Sequence, residues 1–164
     1  GCTGSLTQLP ILTMPGDDKT HPIPDLTGYI TEGQIIIDRD LNKRENVPPI
    51  NILGSLSRLK VGKGQVRDDA AALADQLYAC YATGVELREL VAVVGKSALS
   101  EDELVYLEFS DRFENEYVNQ GFDRNREFEE TLSLGWKLLG MFKPSELKKV
   151  KKEQLEQYHV HQSD

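Results

Sequence analysis

The chain has 164 residues, of which 39% are hydrophobic and 28% charged, with a net charge of −8 at pH 7. That length holds one domain or two small ones around a packed core. The acidic balance argues against a nucleic-acid-binding surface, which needs clustered Lys and Arg. Residues 1–70 carry eight basic and nine acidic side chains, and residues 71–164 carry eleven and eighteen. The second part therefore presents the acidic face, and a basic protein partner is its natural complement. Cys2 and Cys80 make no disulfide framework and are expected as free thiols of a reducing compartment. No apolar run approaches a membrane span, and no signal peptide is visible. The first residues, Gly1 to Gly4, lack an initiating methionine, which suggests a fragment.

In chain order, Leu9 to Met14 is a short apolar run before Pro15-Gly16, which predicts a buried strand and a turn. Asp17 to Asp25 is polar and proline-rich, which predicts a long ordered loop. Its Asp17, Asp18, Thr20 and His21 could hold a metal or water, although Asp and Thr in such loops more often bond their own backbone. Gln34 to Ile37 is β-branched and fits a central strand. Leu41 to Asn46 is charged and predicts a surface turn. After Val47-Pro48-Pro49, the run Ile50 to Leu53 predicts a short buried strand. Gly54 to Ser57 predicts a sharp turn that delivers Arg58 at the strand's exit. In open α/β sheets ligand chemistry sits at such strand ends, although an arginine there is more commonly paired with a carboxylate. Lys60 to Gln65 predicts a flexible basic loop.

From Asp68 onward the pattern becomes helical. Leu73, Leu77 and Cys80 share one face of an Ala-rich helix, with Gly84 as its expected stop. Leu87, Leu90, Val91 and Val94 predict a second helix that Gly95 ends. Ser100 to Glu103 is a capping box. The helix it opens is expected to run to about Asn119, with Tyr106, Phe109, Phe113 and Tyr117 as a core stripe. Phe128, Leu132, Gly135, Leu139 and Phe142 mark a fourth helix beside Trp136. Pro144 opens a helical turn, and Lys152 to Tyr158 forms a last amphipathic piece. The lysines from Lys148 to Lys152 read as a solvated face. The expected fold is thus an α/β fragment, the closing strands of a mostly parallel nucleotide-binding sheet, followed by an all-α C-terminal helical bundle. Residues 1–68 form the first part and 69–164 the second.

Little catalytic chemistry is visible in the residues themselves. A phosphate-binding loop needs Gly-x-x-x-x-Gly-Lys-Ser/Thr between strand and helix. Gly95-Lys96-Ser97 supplies only its end, and Leu90 stands where the first glycine belongs. His21, His159 and His161 match no zinc spacing, and no metal site is expected. No Ser-His-Asp or Cys-His arrangement can be assembled. Arg58 remains. A guanidinium supplied in trans to another subunit's nucleotide can stabilise charge on a transferring phosphoryl group. Lysine substitutes for it poorly, because the guanidinium is planar, forked and permanently charged.

Several blocks resemble the noncatalytic B (beta) subunit of archaeal and vacuolar-type rotary ATPases. They are Gly4 to Asp18, His21 to Ile35, Pro48 to Leu53 and Ser55 to Leu59. In the helical part Asp75 to Ala82, Val93 to Gly95, Tyr106 to Phe109, Gln120-Gly121 and Thr131 to Trp136 resemble the same family. The resemblance implies a non-catalytic subunit of a V/A-type ATP synthase. Such a subunit takes part in ATP synthesis or hydrolysis coupled to proton or sodium transport. The chain looks like the last third of it, without the N-terminal barrel or the phosphate-loop segment. Three such subunits would alternate with three catalytic A subunits in a ring around a central rotor shaft, tied to peripheral stalk subunits. That head is cytoplasmic and peripheral to the membrane, with no direct membrane insertion and no nucleic acid. By the same resemblance Arg58 reaches the neighbouring catalytic site and contacts its nucleotide phosphate. Ser57, Leu56 and Tyr29 lie near that interface. ATP or ADP with Mg would belong to the neighbouring subunit, with none bound by this chain alone. There are departures. Gly54 stands where the family usually has proline, Lys60 replaces a methionine, and Val66 to Ala70 departs from the family's Thr-Arg-Glu-Asp-His block, which puts a role for Arg67 in doubt. The competing expectation is a stand-alone acidic helical module for protein–protein interaction.

Overall fold

The computed structural model describes residues 4–58 and 66–160. Cys2, the loop Lys60–Gln65 and His161 lie outside the described residues. The expected layout holds, with a short stranded region followed by helices, and several elements differ in kind. Residues Leu9 to Met14 form no strand, and Leu9 and Ile11 are 81% and 97% exposed. The run has strand composition, but among the described residues no neighbouring strand accepts its ladder. In place of one long loop, a 3₁₀ turn at Pro15–Asp17 leads to helix α1, Pro22–Ile30. Prolines 22 and 24 fall in the first turn, where a missing N–H costs nothing because no intrahelical acceptor exists there. The His21 ring nitrogen Nδ1 caps this turn by accepting from the N–H of Ile23 at 3.3 Å. The Asp18 carboxylate accepts from the N–H and hydroxyl of Thr20 at 2.9 and 2.6 Å, an Asx turn in which the side chain bonds its own loop.

Strand β1, Gly33–Ile37, pairs antiparallel with β2, Ile50–Ser57. The single pairing seen is therefore antiparallel, within a layout otherwise as expected. From Gln34 to Ile36 on β1 the register advances two residues, while from Leu56 to Asn51 on β2 it advances five. The sharp turn expected at Gly54 to Ser57 is thus a bulge inside a continuing strand. Asn51 Oδ1 accepts from the N–H of Gly54 at 2.8 Å, and the Ser55 hydroxyl donates to the Asn51 carbonyl at 2.6 Å. These side chains satisfy the backbone that the bulge takes out of the ladder. Between the strands the expected surface turn is a short helix, α2, Arg39–Lys43, capped by Asp38. It buries Leu41, and Asn46 beyond it is also buried.

Helix α3 spans Ala70–Val94 without a break at Gly84. A glycine inside a helix reads as a stop when only propensity is considered, but here it serves a close crossing. A Cβ at Gly84 would lie 2.5 Å from the Tyr106 carbonyl oxygen and 2.6 Å from Ser110 Cβ. The real stop is Gly95, at φ +84°. Helix α4, Glu101–Arg112, opens with the full capping box of Ser100 and Glu103. Its last turn widens into a π-helical segment, Phe113–Val118, so the α-helix ends earlier than expected. Helix α5 covers Phe128–Leu139, with Phe142 in the turn beyond it. The stretch from Pro144 is a turn, and helix α6, Lys152–Tyr158, closes the bundle.

The aromatic stripe of α4 is core. Phe109 and Phe113 are 0% and 2% exposed, and their rings join Tyr81, Tyr106, Tyr117 and Phe142 at centroid distances of 4.7 to 5.7 Å. Leu73, Leu138 and Leu139 close around them. Each fully buried side chain of this size contributes about 1.5–3 kcal/mol of burial free energy. Two polar clusters hold the ends of the bundle. Buried Glu114 accepts from Tyr81, Arg88 and Arg44 at 3.0, 2.8 and 3.2 Å. Buried Asp69 takes Arg67 on both carboxylate oxygens, at 2.6 and 2.7 Å, and the Trp136 indole N–H at 2.6 Å.

The stranded region joins the bundle through Ile52 and Leu53, which pack half-buried against its core, and through the residues just past the π-helical segment. The N–H groups of Gln120 and Gly121 both donate to the Val47 carbonyl, at 2.7 and 3.1 Å, and the Val47 N–H donates to Asn119 Oδ1 at 3.2 Å. Arg44 adds its ion pair to Glu114. Val47 is the last residue before the prolines that lead into β2, so the strand carrying Arg58 starts from a point fixed by the helical region.

Candidate functional site

Arg58 follows β2 directly and is exposed. Its N–H donates to the Glu32 carbonyl at 2.7 Å, which fixes the backbone at the strand's exit. Its guanidinium Nη1 donates to the carbonyls of Tyr29 and Thr31, at 3.3 and 3.2 Å. These carbonyls lie at the C-terminal end of α1, where unsatisfied oxygens and the helix dipole concentrate negative potential. The carboxylate partner that a strand-end arginine commonly takes is absent among the described residues. Arg58 is held by neutral oxygens, and its charge is not cancelled.

The other residues singled out in the sequence gather around it in different ways. Tyr29 is 68% exposed and meets Arg58 through its carbonyl, not its ring. Ser57 pairs with Gly33, and Leu56, 50% exposed, pairs with Gln34. All four therefore occupy one open end of the sheet. Gly33 makes a close approach there, since a Cβ at this position would stand 2.6 Å from the Leu56 carbonyl oxygen unless the strands moved apart. The site is an edge, not a pocket. One cleft among the described residues, about 410 Å³, lies between α3 and the segment from Ser145 to Lys149. Another, about 330 Å³, lies beside Arg67 and Tyr158. Neither touches Arg58.

Gly95-Lys96-Ser97 follows a helix and leads into a 3₁₀ turn, with no strand before it. Its backbone therefore lacks the strand–loop–helix frame that cradles phosphates. Arg67 turns out to be structural. Besides gripping Asp69 it bonds Glu129 at 3.1 Å and lies 4.6 Å from the Tyr158 ring centroid, tying the starts of α3 and α5 to α6. Burial raises the Asp69 carboxyl pKa, but the Arg67 and Trp136 hydrogen bonds outweigh it and hold the group below its ordinary value. No helix among the described residues is long and apolar enough to cross a membrane.

Two family models match the chain in succession. Residues 1–57 match the nucleotide-binding domain of the ATP synthase alpha/beta family. Residues 59–159 match the C-terminal domain of V and A type ATP synthase. Among solved structures, an ATP synthase subunit named NeqB from Nanoarcheaum equitans is 39% identical, with a TM-score of 0.73 over 80% of this chain. The chain spans 33% of the length of that protein. A C-terminal domain match over more than half the chain, joined to this structural likeness, shows that the chain belongs to the V- and A-type ATP synthase family.

Proposed function

We propose that the chain is the C-terminal part of a noncatalytic B subunit in a V/A-type rotary ATP synthase, and that Arg58 serves the nucleotide site of an adjoining catalytic subunit. Family membership supports a place in a multisubunit ATP synthase. Resemblance of Ser55 to Leu59 to the B subunit's Ser-Leu-Ser-Arg block supports the noncatalytic assignment. The observation that carries the role of Arg58 is its state in the fold. It is an exposed guanidinium at a strand exit, oriented by helix-end carbonyls and left without a carboxylate.

The chemistry follows from that state. Phosphoryl transfer needs positioning and charge stabilisation more than covalent participation by the protein. An arginine with spare donors can bind two oxygens of a phosphoryl group and strengthen its hold as charge develops on them. The ATP and Mg it would act on belong to the partner subunit. In this reading Arg58 does not bind the nucleotide alone, and it completes a site that the catalytic A subunit builds. Ser57 and Leu56 line the same edge and set how near that subunit approaches. In a ring of three plus three subunits the arrangement recurs at alternate interfaces. The head then couples proton or sodium movement to synthesis or hydrolysis through its shaft and stalks, at the cytoplasmic face of the membrane.

The test is Arg58→Lys in the complete subunit, assembled with its partners. ATP turnover falls by about 10³-fold if the guanidinium acts in trans, while the ring still assembles. Turnover within about threefold of the parent, well inside the range of ordinary surface substitutions, removes the role.

A further inference from the structure

We infer that Gln34 is a positioning residue for Arg58, acting through the C-terminal carbonyls of α1; this rests on the trans role given to Arg58 above. Gln34 stands on β1 opposite Leu56, two residues before Arg58 on the paired strand. Its half-buried carboxamide Nε2 donates to the Pro24 carbonyl at 2.7 Å and to the Thr27 hydroxyl oxygen at 2.8 Å. The Thr27 hydroxyl in turn donates to the same Pro24 carbonyl at 2.7 Å. Gly28 lies close over the amide, where a Cβ would come within 3.1 Å of Oε1. These three groups form a latch between the middle of α1 and the sheet.

The latch matters because little else holds α1. Ile23, Leu26, Tyr29 and Ile30 are 57%, 60%, 68% and 83% exposed, so Pro24 is the one apolar side chain the helix buries. Hydrogen bonds, not packing, set where its last carbonyls stand. Those carbonyls set Arg58. With Nη1 held by the oxygens of Tyr29 and Thr31, the guanidinium plane is fixed, and Nε and Nη2 remain free among the described residues. A fork oriented in this way offers two parallel donors to a phosphoryl group without first losing rotamer freedom. Catalytic groups lose activity steeply on misplacement by about 1 Å. Release of α1 therefore degrades the aim of Arg58 without removing its charge.

Two substitutions in the assembled complex test this. Gln34→Leu keeps the volume and deletes both donors, and is expected to lower kcat about tenfold, with KM for ATP within about twofold. Thr27→Val deletes one member of the latch and should lower kcat about threefold. In an Arg58→Ala background both effects should vanish, since nothing remains to be aimed. Size-exclusion and thermal unfolding confirm that each complex is intact, and the milder Thr27→Val serves should Gln34→Leu fail to assemble. Parental kcat in both variants overturns the inference. So does an equal loss with and without Arg58, which marks Gln34 as merely structural. A slow Arg58→Ala beside a normal Gln34→Leu defeats the positioning role alone. Near-parental turnover by Arg58→Ala defeats the trans-arginine reading and this inference together.

Discussion

The helical and stranded regions solve different problems with the same amino acids. Among the described residues, Pro24 and Leu41 are the buried apolar side chains before Ala70, Ile52 and Leu53 reach the core only half-buried, and the rest of the core lies in the helical region. The stranded region instead leaves Leu6, Leu9, Ile11, Ile30 and Ile35 between 64% and 97% exposed. Exposed apolar surface at that density is characteristic of faces that other protein covers. The helical region carries its own stability. Apart from the packing of Ile52 and Leu53 on the bundle, the stranded region takes its geometry from hydrogen bonds: the Gln34 latch, the Asn51 and Ser55 bulge, and the pinning of Val47 by Asn119, Gln120 and Gly121. Arg58 sits in the second kind of structure. An arginine that must meet a neighbour belongs on a surface held in place without being sealed.

The sharpest way to break this comparison is to apply one insult to both regions. Gly84 and Gly33 face nearly the same overlap, since a Cβ at either would lie 2.5 or 2.6 Å from a backbone carbonyl oxygen. Helix propensity alone says that Gly84→Ala gains about 1 kcal/mol. The contact says otherwise. The α3–α4 crossing is flanked by buried Ser110 and the aromatic stripe and has nowhere to move, so Gly84→Ala is expected to cost about 3 kcal/mol net. Gly33 faces the last pair of a two-stranded sheet that can shift outward, so Gly33→Ala should cost under about 1 kcal/mol. Denaturant unfolding of the two variants decides it. Equal losses mean that the stranded region is as tightly packed as the bundle.

What was legible in the sequence divides along the same line. The capping box at Ser100, the stop at Gly95, the aromatic stripe and the last helix were all local signals, and all stand in the structure. Gly84 misled because a glycine that ends a helix and one that admits a neighbouring helix look alike until the neighbour is known. Pro22 and Pro24 misled because proline breaks a helix interior but suits a first turn. Leu9 to Met14 has strand composition, but composition supplies no partner. Arg58 was legible as the residue at the exit of β2. Its two carbonyl acceptors were not, because they belong to a helix that the sequence had presented as a loop. The Asp69 and Glu114 clusters join residues up to 70 positions apart, and no spacing pattern announces them.

A smaller effect sharpens the contrast by pH. Asp69 is 1% exposed and holds Arg67 and Trp136 together. Asp38, in the stranded region, is only half-buried. There desolvation raises the carboxyl pKa, and hydrogen bonds led by that from Asn51 outweigh it. Both carboxyls titrate below their ordinary value of 3.8. A lowered folded pKa means that the contribution is fully present above 3.8 and is lost as pH falls through the folded value. Asp69→Asn is expected to cost about 2 kcal/mol near neutral pH, because it removes the buried carboxylate that grips Arg67 most closely and leaves only the exposed Glu129 to balance it. That deficit should shrink as unfolding is measured at successively lower pH below about 4. Asp38→Asn should cost about 0.5–1 kcal/mol, with the same trend. A deficit at Asp69 that stays constant down to acid pH would assign its cost to packing and not to charge.

The smallest perturbation leaves stability untouched and reads the two regions by rate. Cys80 is 2% exposed beneath the cleft between α3 and the Ser145–Lys149 segment, and Gln76 Nε2 donates to its sulfur at 3.3 Å. Burial pushes the thiol from its ordinary 9.0 up to about 11. That shift alone reduces the thiolate fraction at pH 8 by about 100-fold, and burial blocks the reagent besides. Alkylation of the Cys80 peptide by iodoacetamide should therefore wait on opening of the bundle, and should slow in step with its unfolding free energy, about tenfold for each 1.4 kcal/mol. A cysteine placed by Leu9→Cys, at a position 81% exposed, has no such barrier and should react at the rate of an unfolded peptide. Since Gly84→Ala weakens the bundle, it should speed the first reaction and leave the second unchanged. If both thiols responded to that substitution alike, the two regions would open as one cooperative unit, and the contrast between a packed bundle and an unsealed stranded region would have to be abandoned.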